Sequence, residues 1–68
     1  MEILSAKMLR VNEDNTLVYY YEFSGDSSDT KPTDNVANGS TFTEVDTGDV
    51  YMFNAKTSTW VRQFSLQG

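Results

Sequence analysis

The sequence predicts an all-β domain of about five antiparallel strands, an N-terminal hairpin followed by a three-stranded meander, forming a small barrel or a strongly twisted sheet. Three observations carry that prediction. Thr16 to Phe23 is almost wholly β-branched or aromatic, the composition that suits a pleated, half-buried surface. Two further runs rich in Thr, Val, Phe and Tyr flank Asp46-Thr47-Gly48-Asp49, where Gly48 supplies the positive φ that a tight hairpin turn demands. Apolar residues occupy both faces of the strands, which favours a closed or partner-covered sheet over one open to water.

The first strand is expected over Ile3 to Val11. Its alternation is loose: Ile3, Ser5, Lys7, Leu9 and Val11 would share one face and Leu4, Ala6, Met8 and Arg10 the other, so neither is cleanly polar. A helix competes, since Leu, Ala, Lys, Met and Arg form helices well, but its stripe would mix Ile3 and Ala6 with Lys7 and Arg10. The strand is preferred because Asn12-Glu13-Asp14-Asn15 is a cluster of turn formers and the strand over Thr16 to Phe23 follows as its partner. In that second strand Leu17, Tyr19, Tyr21 and Phe23 form an apolar face expected to point inward, with Val18, Tyr20 and Glu22 on the other side. Residues 1–24 are thus the hairpin.

Residues 25–40 form a polar loop of Gly, Ser, Asp, Thr and Asn with the only proline, Pro32. Connections this long are unusual in a compact domain. Val36 is its candidate anchor, with Ala37 the only other apolar residue. Residues 41–64 read as the meander: strands over Thr41 to Asp46, Asp49 to Phe53 and Thr59 to Phe64, joined by short turns that imply antiparallel neighbours. The tail, 65–68, is expected to fray.

At 68 residues the chain is one domain at most, near the size where a single core is only marginally sufficient. It has no Cys and no His, so disulfides and thiolate or imidazole zinc cannot reinforce it. No apolar run reaches transmembrane length, and Met1 to Lys7 does not resemble a secretion signal. The net charge of −5 opposes both phosphate backbones and anionic lipid. Between Glu22 and Asp49 stand Glu22, Asp26, Asp29, Asp34, Glu44, Asp46 and Asp49 against one base, Lys31, so neither nucleic acid nor a membrane is an expected partner.

No catalytic residue or cofactor site is expected. A nucleophilic Ser needs a base beside it, usually His, and no spacing supports Lys7, Lys31 or Lys56 in that role. Glu44, Asp46 and Asp49 are the one carboxylate group to weigh as a glycosidase pair or Ca²⁺ site. The structural expectation is that Asp46 bonds backbone in the turn while Glu44 is solvated. Asp26-Ser27-Ser28-Asp29-Thr30 lacks the spacing of a calcium loop, and Asn38-Gly39-Ser40 fits a glycosylation acceptor only by its short pattern. The aromatics offer a contact surface, with Tyr20, Tyr51 and Trp60 as its candidates.

Val18-Tyr19-Tyr20-Tyr21-Glu22, Asp29-Thr30-Lys31-Pro32 and the stretch from Gly39 to Asn54 closed by Trp60 together resemble a family of small proteins of tailed bacteriophages and prophages, often encoded near virion structural genes. The resemblance covers most of the chain through the pattern Gly-Ser…Asp-Thr-Gly-x-Val-Tyr-x-Phe…Trp. It implies a virion component or an accessory bound to one, located in the particle or the bacterial host cytoplasm, and supplies no catalytic residues. The expected function is a non-enzymatic module binding another virion protein or itself through a strand edge or aromatic patch. The alternative is a carbohydrate-binding adhesion module using Tyr20, Tyr51 or Trp60 as stacking platforms.

Overall fold

A computed structural model describes residues 1–66. The chain is all-β, with β1 (Glu2–Val11), β2 (Leu17–Gly25), β3 (Thr41–Glu44), β4 (Asp49–Asn54) and β5 (Thr59–Ser65) in one sheet of spatial order β1-β2-β3-β4-β5. The sheet is open, a twisted sheet and not a barrel, with β1 and β5 at its edges. The β1–β2, β3–β4 and β4–β5 pairs are antiparallel, as expected for a hairpin and a meander.

The junction between the two halves differs from expectation: β2 and β3 are parallel, with Phe23 beside Phe42 and Gly25 beside Glu44. Segment length explains it. Parallel neighbours need a crossover of about a dozen residues or more, and 26–40 is long enough to return the chain to the starting end of β2. Parallel pairing begins before β3 does. Val36 bridges Tyr19, the Tyr19 amide donating to the Asn35 carbonyl (3.1 Å) and the Ala37 amide to the Tyr19 carbonyl (2.8 Å). Val36 and Ala37 are both buried, so the expected anchor at Val36 holds.

Between that bridge and β3 the chain jogs at Gly39, with φ 88°, and Ser40 fills the break in the ladder. Ser40 is fully buried; its Oγ accepts from the Tyr21 amide (3.0 Å) and donates to the Ala37 carbonyl (2.8 Å), while its own carbonyl accepts from the Phe53 amide (2.8 Å). Buried backbone groups left unpaired would be costly, and one hydroxyl prevents that here. At the next turn Gly48, φ 78°, donates its amide to the Glu44 carbonyl (2.8 Å), so β3 ends at Glu44, two residues before Asp46.

Crossover residues lie over one face of the sheet. Trp60 Nε1 donates to the Pro32 carbonyl (2.8 Å), and Lys31 stands over Phe42 and Tyr51. Under this strap a ladder of rings runs from Tyr19 through Tyr21 and Phe23 to Phe42, Trp60 and Phe53, with neighbouring centroids 4.8–6.1 Å apart. Phe23, Phe42 and Phe53 are its buried members. On β4 it is therefore Phe53 that packs in the core, with Tyr51 on the same side and Val50 half-buried opposite. On β2 the expected inward face holds only at its end: Leu17 is exposed, Tyr19 and Tyr21 are half-buried and Phe23 is buried.

The pairing of β1 accounts for its loose alternation. Register shifts fall between Ile3 and Ser5 and between Met8 and Arg10, leaving Leu4 and Leu9 out of register. Each bulge inserts one residue and so reverses the alternation. The in-register residues separate cleanly: Ile3, Ala6, Met8 and Val11 oppose Phe23, Tyr21, Tyr19 and Leu17, while Glu2, Ser5, Lys7 and Arg10 oppose Ser24, Glu22, Tyr20 and Val18. At the other edge Ser65 belongs to β5 and the Leu66 amide donates to the Gly48 carbonyl (2.6 Å), so fraying does not begin at Ser65. Gln67 and Gly68, the rest of the expected tail, lie outside the described residues.

Candidate docking surface

Tyr20, Tyr51 and Trp60 do not form one surface. Tyr20 lies on the face of β2 opposite Tyr19 and Tyr21, whereas Tyr51 and Trp60 share the strapped face with Phe42 and Phe53. All three are half-buried. The Lys31 ammonium stands 4.6 Å from the Tyr51 ring centre, and Trp60 packs on Phe23, Phe42 and Phe53 with its N–H already donated. The rings of Tyr51 and Trp60 are therefore engaged within the fold, and no row of parallel open rings unites the three.

The carboxylates of the acidic half are likewise occupied. Glu44, expected in solvent, is buried: its Oε2 meets Lys31 Nζ at 2.7 Å and its Oε1 accepts from the Thr47 hydroxyl at 2.8 Å. Lys31 also stands 4.7 Å from the Phe42 ring centre, so one ammonium is satisfied by a carboxylate and two ring faces. The hydrogen bond from Lys31 is the main cause that holds the Glu44 carboxyl below its ordinary value. Lys31 is the residue sequence reasoning undervalued. Its signal was its isolation, one base among seven acids.

Asp46 reaches across to the crossover, accepting from the Ser27 amide (2.9 Å) and hydroxyl (2.6 Å), and the hydroxyl bond is the main cause that lowers its carboxyl pKa. Asp49 lies 4.0 Å from Arg62 in a partly exposed pair. Among the described residues no group of three or more Asp or Glu side chains is placed to hold a metal ion. The chemistry of Glu44 and Asp46 is thus to fasten the strap to the β3–β4 turn.

An open groove of about 280 Å³ is lined by Asn38, Gly39, Met52, Phe53, Asn54, Val61 and Gln63. It lies below the usual size of a small-molecule site, and no charged side chain lines it.

The surface that stands out is β1. Every residue from Glu2 to Val11 is exposed, although Ile3, Leu4, Met8, Leu9 and Val11 are each more than half open to water. The strap reaches β3, β4 and β5 and bridges Tyr19, leaving Ile3, Ala6, Met8, Val11 and the adjoining Leu17 uncovered. Contiguous exposed apolar residues rimmed by charge mark interaction sites more often than single scattered ones. The outer edge of β1 also presents unpaired backbone donors and acceptors.

No protein-family model, curated protein or solved structure matches the chain. No helix of the described residues is long and apolar enough to cross a membrane.

Proposed function

We propose that the chain is a non-enzymatic assembly module that docks through β1, a component of a phage or prophage particle or an accessory bound to one. The observation that carries the docking role is a ten-residue strand exposed throughout while five of its large side chains are apolar. The family resemblance of the Gly-Ser…Asp-Thr-Gly-x-Val-Tyr-x-Phe…Trp pattern supplies the phage setting. Edge pairing suits such a surface because main-chain hydrogen bonds give affinity and alternate side chains give selectivity. Protein is favoured over glycan because Lys31 stands over the Tyr51 ring, and Trp60 packs on Phe23, Phe42 and Phe53 with its N–H donated to Pro32.

The test is a photo-crosslinking residue placed at Met8, with the same residue at Lys56 in the distant β4–β5 turn as control, in the cell that naturally encodes the chain. Docking through β1 gives a discrete protein adduct at position 8 and none at 56. No adduct at 8, or equal labelling at both, contradicts it.

A further inference from the structure

Which protein would cover β1 is constrained by its own charge pattern. Glu2 lies at one end of the strand and Arg10 at the other, with Lys7 between them, and among the described residues none of the three has an ion-pair partner. Arg10 spends only its Nε proton, on Asn12 Oδ1 at 3.2 Å. Building on the docking role of β1 proposed above, we infer that its partner is the β1 strand of a second copy of this chain, paired antiparallel about a two-fold axis at Ala6.

A strand with acid at one end and base at the other complements itself when antiparallel. Centred on Ala6, the pairing sets Glu2 opposite Arg10 twice, Ser5 opposite Lys7 twice, Ile3 opposite Leu9 and Leu4 opposite Met8. Opposite charges across a strand pair attract and like charges repel. Neighbouring registers lose this match. Centred on Lys7, the pairing sets the two Lys7 side chains against each other and Arg10 against Leu4. Centred on Ser5, it sets Lys7 against Ile3 and Glu2 against Met8. Slips by a single residue oppose Ala6 to Lys7 or to Ser5, both of which the ladder with β2 places on the other face.

Charged residues and bulges on an edge normally deter pairing. Here both devices are present, and the charges select one register, since among these registers only the Ala6-centred pairing gives Arg10 a carboxylate. A two-fold contact closes on itself and ends at a dimer, leaving β5 as the outer edge on each side. The strand extends about 33 Å, so the contact falls at the lower end of specific interface sizes and the dimer is a reversible one.

The experiment is solution mass by light scattering across a concentration series for the parent, Arg10→Glu, and the charge-exchanged double variant Glu2→Arg/Arg10→Glu. The parent is expected to pass from one chain to two as concentration rises. Arg10→Glu is expected to raise the dissociation constant about tenfold or more, since it opposes two carboxylates at both symmetric positions. The double variant restores opposite charges and is expected to return the dimer to near parent strength. All three melt alike when dilute because both positions are exposed. A parent that stays at one chain throughout, or a double variant no better than Arg10→Glu, overturns the inference. The Met8 adduct separates that failure from failure of the docking role: an adduct with a different protein keeps β1 as the docking edge and removes the second copy.

Discussion

Lys31 is the only base between Glu22 and Asp49, and the fold uses it at the centre of the strap, against Glu44, Phe42 and Tyr51. Breaking a buried ion pair by removing one partner strands the other charge, so Lys31→Met is expected to lose about 3 kcal/mol in urea unfolding. Acid should act on the same contact. The folded Glu44 carboxyl sits below its ordinary 4.5, so its contribution is complete above that pH and is lost as pH falls through the lower folded value. In Lys31→Met the carboxyl loses the bond that lowers it, so the loss of stability with acid that Glu44 contributes should shrink or disappear from a stability-versus-pH curve. Gly25 is the other sensitive residue. A Cβ there would overlap Asp29 Oδ2 and meet Phe42 Cζ at 3.0 Å and Met1 Cα at 3.2 Å, so Gly25→Ala is expected to destabilise by about 1–3 kcal/mol in the same assay. Neither role was legible beforehand, because Lys31 and Gly25 lie in a polar stretch with no periodicity and their partners are distant in sequence. Gly48 was legible, since a positive φ in a four-residue turn is a local requirement.

At the scale of elements, the strands over Thr16 to Phe23 and Asp49 to Phe53 were readable because β-branched and aromatic residues cluster there between turn formers. The parallel β2–β3 pair was not, although the length of the connection pointed to it: a run too long for a hairpin is long enough for a crossover. What holds that crossover is Val36 beside Tyr19 together with Ser40 between β2 and β4. Val36→Ala removes two buried carbons and is expected to lose about 2 kcal/mol, with chemical denaturation as the measurement. β1 behaves in the opposite sense. Its bulges concealed the separation of apolar from polar residues, since each one breaks the two-residue period by which a strand is recognised. Because Met8 is exposed on a strand whose only neighbour is β2, Met8→Ser should shift the stability of dilute protein by no more than about 0.5 kcal/mol.

The whole molecule is elongated, 42 × 22 × 17 Å, with a radius of gyration of 12.2 Å where a compact chain of this length has about 11 Å. Its buried core is short: Phe23, Phe42 and Phe53 with Val36 and Ala37 of the crossover, and Val18 on the opposite face of β2, while the side chains of β1 are exposed along its length. A small domain that leaves one strand of its only sheet uncovered is incompletely buried as a single chain, which is why β1 reads as a docking edge. Amide hydrogen exchange measured on the same protein dilute and concentrated tests most directly whether that edge pairs with a second copy. The account predicts that exchange across Glu2–Val11 slows with concentration while Thr59–Ser65, the other edge, stays unchanged. Slowing at β5 and not at β1, or no change at either edge, would contradict it.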